Sequence, residues 1–324
     1  MRRRSLLAAL VAPCIVPGTA RAKRSSMPEN IRIFVGFAAG GGADTIARSI
    51  AAQLERRLGR RVSVENRSGS AASLPGEIVK KGPADGSQLA FLSSTTLVSR
   101  LATRDFPYDP VRDLMPVTLV GRFPLAFALS PTLGIDTFDG YLRWTRSGDS
   151  ARRRLGNTSS NAFVDILNLL LDRSTGEVLV RTDYRGAAPL VADLEQGRLP
   201  ACVTTVTSLL PAHRGGRVRI VMITGAHRLA VAPDLPTAAE LGYPRLDMTE
   251  WFAFFAPPST PEALVTEWNR QLRAALADPA VTGVVEQLGL AVETSTSADL
   301  ETLVDSHHRD WSTRIATIGM TPVN

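Results

Sequence analysis

The stretch Ile31–Asp44, IRIFVGFAAGGGAD, constrains the fold more than any other part of the chain. Ile31, Ile33, Phe34, Val35 and Phe37 form a short apolar run of the kind found in strands covered on both faces. Gly40, Gly41 and Gly42 follow, and their missing β-carbons let the backbone turn sharply and come close to a ligand. Ile46, Ile50, Leu54 and Leu58 then recur at helical spacing, with Arg56 and Arg57 in the last turn and Gly59 as a stop. A strand, a glycine turn and a helix N-terminus bring unpaired N–H groups and the positive end of a helix dipole to one point, which suits an anion. The same glycines would also serve simply to let a helix pack on its strand.

Nucleotide motifs do not fit this turn. The three consecutive glycines lack the G-x-G-x-x-G spacing, and no Lys-Ser or Lys-Thr pair follows as a P-loop requires. Arg2, Arg3 and Arg4, the apolar stretch Leu6–Val16 and the Ala20-Arg21-Ala22 site together predict a secretory signal peptide over residues 1–22. Export by either the general or the twin-arginine route is compatible with that pattern. The expected address is the periplasm. Cleavage would remove Cys14 and leave Cys202 alone, so the mature chain forms no internal disulfide. Cys202, within Ala201-Cys202-Val203, reads as a buried inert thiol.

The full chain carries a formal charge of +6. Arg2, Arg3, Arg4 and Arg21 leave with the signal, and 6 − 4 gives +2 for the mature protein. The run Arg152–Arg154 is short and has no interleaved aromatics, so a nucleic-acid partner is not indicated. With 44% hydrophobic residues, the remaining 302 or so residues can bury one large or two ordinary domains.

Strand-like and helix-like segments alternate along the chain, which predicts an α/β architecture with mainly parallel sheets. Strands are expected at Val62–Glu65, Leu89–Ser93, near Leu155, and at Val178–Arg181, Ala201–Thr204 and Val218–Ile223. Helices are expected at Ser73–Lys81, Phe138–Arg146, Ala162–Arg173, Ala187–Gln196 and Val206–Arg214. Met115–Leu129 is a long extended apolar stretch. The small polar run Gly156–Asn161 after a strand repeats the opening logic, with Ser159 or Ser160 as helix cap. Two such loops facing each other would clamp a small anion. Nearer the C-terminus, Thr260 is expected to cap a helix whose first residue is Pro261. Trp251, Phe254 and Phe255 read as core, and Leu300 to Ile318 as an amphipathic last helix.

No G-x-S-x-G elbow or H-E-x-x-H pair occurs, and His213, His227, His307 and His308 sit apart from any nucleophile. A catalytic centre, a metal site and a cofactor are therefore not expected. A hydrolase or transferase is the weaker rival.

Landmarks along the chain carry a resemblance. They are Phe37–Asp44, Val64–Arg67 with Gly69, Pro83–Gly86, Pro107–Asp113 with Pro116-Val117, Tyr184–Pro189, Asp193-Leu194 with Gly197, Pro233–Thr237 with Glu240 and Gly242, and Trp251 with Ala256-Pro257. In this order they resemble the Bug/TctC extracytoplasmic solute receptors of tripartite tricarboxylate transporters, from about Ile31 to Ile318. The resemblance implies a type II periplasmic-binding-protein fold, two α/β lobes joined by two crossing strands that close on a ligand. It places lobe 1 at residues 23–122 plus 224–324 and lobe 2 at residues 123–223. It implies a small carboxylate held between the two loops, with membrane transporter subunits as partners, or alternatively a sensor kinase, and a monomeric receptor.

The expected ligand-binding residues are Gly40, Gly41, Gly42 and Ala43, with Asp44 shaping the loop, and Asn157, Ser159, Ser160 and Asn161 opposite. Thr95, Thr96, Thr204 and Thr205 would line the distal end. The chain departs from the family pattern at Ala39 and at Gly42-Ala43, where the family carries Pro and Ser-Thr. Thr204 stands where an acid is usual, which leaves the charge of the ligand's far end open.

Overall fold

The computed structural model describes residues 27–68, 72–158 and 162–320. The expected signal peptide, Cys14, and Ser159, Ser160 and Asn161 lie outside the described residues.

The chain opens with β1 (Asn30–Val35), α1 (Gly42–Leu58), β2 (Arg61–Asn66), α2 (Leu74–Lys80), β3 (Gln88–Ser93) and α3 (Thr95–Ala102). The long strand β4 (Met115–Leu129) follows, then α4 (Phe138–Arg146), β5 (Arg154–Thr158), α5 (Ala162–Thr175), β6 (Val180–Tyr184), α6 (Ala187–Glu195), β7 (Ala201–Thr205) and α7 (Val206–Arg214). The remainder is β8 (Arg219–Ile223), β9 (Thr249–Ala256), α8 (Glu262–Leu276), α9 (Pro279–Gln287), β10 (Ala291–Val292) and α10 (Ser297–Thr317).

Helix α1 forms where the glycine turn lets it start. Ile46, Ala47, Ile50 and Leu54 are fully buried against the first sheet, and each Ile or Leu so buried contributes about 1.5–3 kcal/mol. Gly59 ends the helix in the left-handed conformation at φ 62°, with its N–H on the Glu55 carbonyl.

The strands run in the order β2-β1-β3-β9-β4-β7-β5-β6, with β8 and β10 also paired to β4. β2-β1-β3 and β7-β5-β6 are parallel. β9 is antiparallel to both β3 and β4, and β7, β8 and β10 are antiparallel to β4. The expectation of mainly parallel sheets is therefore corrected. Each half has a parallel part joined through antiparallel strands, because β4 and β9 run against the β-α-β units they connect.

β4 changes company along its length. Met115 to Pro124 pair with β9, and Leu125 to Leu129 pair with β7 and β8. At that changeover the buried Thr224 ties the crossing segments together. Its N–H donates to the Leu125 carbonyl (2.9 Å), its hydroxyl accepts from the Leu125 N–H (3.0 Å) and donates to the Met248 carbonyl (2.5 Å).

Three smaller expectations are corrected. β6 starts at Val180 rather than Val178, since Val178 is exposed ahead of an edge strand. Pro261, not Thr260, holds the cap position of α8, because the Thr260 hydroxyl donates to the Pro257 carbonyl. The segment from Thr95 to Ala102, for which no helix was expected, forms α3. Trp251, Phe254 and Phe255 are core, as is Cys202, whose thiol burial pushes far up. Among the described residues no helix is long and apolar enough to cross a membrane.

Candidate functional site

A cavity of about 470 Å³ lies between the β1-α1 unit and the β7-α7 and β6-α6 units. Its walls are built from helix beginnings. Gly41, Gly42 and Ala43 come from the start of α1, Gly186, Ala187 and Ala188 from the start of α6, Thr205, Thr207 and Ser208 from the start of α7, and Thr95 from the start of α3.

None of the cap residues Gly41, Gly186 and Thr205 caps its own helix through a side chain. Two are glycines. The third, Thr205, spends its hydroxyl on the Thr207 and Ser208 hydroxyls at 3.0 and 2.9 Å. The N–H groups of Gly41 and Gly186 donate to the Ala38 and Tyr184 carbonyls at 3.4 and 2.9 Å, and the N–H groups that follow them at the helix starts have no partner within the helix. Each helix start carries about half a positive charge. Gly186 sits at φ 102°, which only glycine adopts readily, and this lets the turn present α6 to the cleft.

The rest of the wall is neutral. Thr158 and Thr204 share a hydroxyl contact of 3.2 Å, and Phe37 and Phe252 pack edge to face at 5.9 Å. Among the described residues no acid lines the cavity and Arg185 is its one charged side chain. Arg185 is exposed and has no hydrogen-bond or ion-pair partner among the described residues.

Of the residues singled out from sequence, Gly41, Gly42, Ala43, Thr95, Thr204 and Thr205 line the cavity. Gly40 does not, because its N–H donates to Asp44 Oδ2 at 2.9 Å. Asp44 is buried behind the loop and also accepts from Arg48 and Asn66. Burial alone would raise its carboxyl, but the bonds from Arg48, Gly40 and Asn66 outweigh that and hold it below the usual carboxylate range. Asp44 thus fastens the glycine turn to β2. Thr96 and Asn157 are buried off the cavity wall.

Sequence reasoning missed the Arg185–Ala188 turn as part of the site. Its signal was visible, since Gly186-Ala187-Ala188 repeats the strand, small-residue turn and helix order of Gly40–Ala43. Thr207, Ser208 and Phe252 carried no such signal, since only the tertiary fold brings them to the cleft. His307 plays no part there. It accepts from Trp251 Nε1 at 3.4 Å, and burial, with Arg122 and Arg314 nearby, pushes it down to about 4, so it stays neutral.

Comparison with known proteins follows the same line. The family described as tripartite tricarboxylate transporter family receptor matches residues 46–320. Protein BugT of Bordetella pertussis is 33% identical over 255 residues, covering 78% of this chain and 77% of BugT. A Rhodopseudomonas palustris protein solved with adipate superposes with a TM-score of 0.84 at 27% identity, covering 91% of this chain and 98% of that one. MatC from the same organism, with bound malate, gives 0.80 at 26% identity over 88% and 98%.

Proposed function

Given that the chain belongs to the tripartite tricarboxylate transporter receptor family, we propose that its cleft captures a small organic carboxylate without chemical conversion. The fold is the two-lobed one of periplasmic binding proteins, and the chain is a solute-binding receptor of that class. The observation that carries the reading is the meeting of three uncapped helix starts, α1, α6 and α7, on a cavity with no acid in its described wall. Such a nest of N–H donors neutralises a carboxylate without needing a buried cation.

In this reading the N–H groups of Gly42 and Ala43 take one carboxylate edge, with Gly41 shaping the turn beside them. Ala187 and Ala188, with Thr205, close on it from the opposite side. Asp44 and Gly40 hold the turn in shape and stay out of contact. Thr95 and Thr204 face the remainder of the ligand, and Arg185 at the rim receives a second anionic group where the ligand has one. The bound forms of the adipate and malate proteins support a dicarboxylate of that size.

The lobes divide at residues 122/123 and 223/224, which the change of partner along β4 and the Thr224 junction support. The receptor works in the periplasm as a single chain and hands its ligand to membrane transporter subunits.

A thermal-shift screen of residues 23–324 against mono-, di- and tricarboxylates tests this. A ligand at about a hundredfold over its dissociation constant adds about 2.7 kcal/mol of stability. Selective stabilisation by a carboxylate is the expected result. Silence across the panel, or turnover of a carboxylate that binds, would overturn the reading.

A further inference from the structure

Three of the four helix starts at the cleft are open, and the fourth is filled from inside the protein. Glu250 lies on β9 with 2% of its surface exposed. The two-residue period of a strand puts it on the same face as Phe252, which lines the cavity. Its carboxylate accepts from the hydroxyl of Thr95, another cavity-lining residue, with the Thr95 N–H and the Ser94 hydroxyl also bonded to it. A β9 side chain thus occupies the anion position at the start of α3.

Nothing charged balances it among the described residues. Phe123 stands opposite on β4 and Ser94 and Thr95 face it from α3. Arg122, the next β4 residue, is turned to Glu293 on the surface. His307 of α10 bonds Trp251, whose side chain leaves β9 on the other face. Arg185 is exposed on the turn before α6. Burial accordingly pushes Glu250 up to about 7, the hydroxyl and amide bonds recovering only part of the cost.

We propose that Glu250 couples ligand capture to proton uptake: a carboxylate entering the cleft raises the proton occupancy of Glu250 from solvent, and the site holds its anion more tightly as pH falls through neutrality. This rests on the carboxylate reading above. The ligand's carboxylate on the glycine turn and the Glu250 carboxylate behind Thr95 are like charges on one cleft, and they resist being ionised together. Once protonated, the Glu250 O–H donates to the Thr95 oxygen, and the Thr95 hydroxyl turns its own hydrogen toward the cleft. No other bond is made or broken.

Calorimetric titration with adipate and with malate, at about pH 6 and about pH 8 in two buffers of different ionisation enthalpy, tests the coupling. Wild type is expected to bind about fivefold more weakly at the higher pH for one unit of pKa displacement, and to take up a fraction of a proton on binding there. Glu250→Gln, neutral and nearly isosteric, should bind with no pH slope and no uptake. If that variant does not fold, Thr95→Ser should keep the uptake and Thr95→Val should lose it. Wild-type binding without slope or uptake overturns the coupling, as does an unchanged slope in Glu250→Gln. Failure of both acids to bind either protein at any pH overturns the carboxylate reading for this acid class, and the coupling with it.

Discussion

A β-carbon on Gly42 would fall 2.7 Å from the Thr207 side chain and 2.8 Å from the Thr207 carbonyl oxygen, so the starts of α1 and α7 touch across the cleft. Gly186 and Ala38 repeat the contact on a smaller scale, at 3.2 Å. Contact this tight depends on the absence of side chains. Gly42 and Gly186, which line the cavity, are also what lets its two sides come this near.

Gly42→Ala should prop the cleft open. The Thr207 backbone cannot yield as a flexible side chain would, so affinity for adipate or malate should fall at least tenfold, about 1.4 kcal/mol. Gly41→Ala is the matched control for packing, since its β-carbon would meet only the Ala38 carbonyl at 3.4 Å. Its melting temperature should stay close to wild type, and any loss of affinity then reports on the ligand itself. Calorimetry and thermal melts on both variants check this, and unchanged affinity in Gly42→Ala would rule out closure at that point.

Arg185→Gln should separate ligand classes. The side chain is exposed and unpartnered among the described residues, so its loss should move stability by no more than about 0.5 kcal/mol. Dicarboxylate affinity should drop several-fold while monocarboxylate affinity holds. An equal loss for both classes would place Arg185 in general steering rather than at a second anionic group.

Stability should depend on pH through Glu250 in a direction opposite to most carboxylates. Its folded pKa of about 7 lies above the ordinary value of 4.5. Between these two values the folded protein holds more protons than the unfolded one, so stability is full below about pH 4.5 and declines as pH rises through 7. The loss amounts to about 3 kcal/mol at most. Glu250→Gln should be the more stable protein at about pH 8, with the advantage shrinking toward about pH 5. Denaturant melts of both proteins across that range measure the difference, and parallel curves would contradict it.

Cys202 should be silent. It is fully buried in β7, and burial raises its thiol far above the ordinary value. A thiol reagent should label the folded protein only as fast as it opens. Cys202→Ser places a hydroxyl in an apolar setting and should cost about 1–3 kcal/mol, with ligand affinity unchanged. Rapid labelling of the native protein would refute the assignment.

Local patterns that repeat a physical requirement were legible in the sequence. The apolar spacing Ile46, Ile50, Leu54 and the Gly59 stop gave α1, and the apolar face of the last helix, with Leu300, Val304, Trp311 and Ile315, gave α10. The run Gly40 to Gly42 marked a sharp turn into a helix, and Gly41 and Gly42 do line the cavity. What stayed hidden depends on partners far away in the chain. Glu250 reads as an ordinary exposed acid until β9 is inserted beside β3 and β4 and α3 is laid over it. Phe252 and Thr207 reach the cleft only through that same arrangement. Asp44 and Gly40 look alike to the eye as loop residues, and only the hydrogen bond between them shows that one is used up in shaping the other.

The place of β9 has a bearing on how the chain acquires its shape. It lies between β3 and β4, yet it is made from residues 249–256, long after both neighbours. Until those residues leave the ribosome, β3 lacks one neighbour and most of β4 has no strand to pair with. The first sheet must therefore wait for a distant piece of sequence, and the ordering is dominated by pairings of high sequence separation, which are slow to find. A fragment ending before residue 249 would carry two unpaired strand edges rich in Leu and Phe, and would be prone to stick to its own kind.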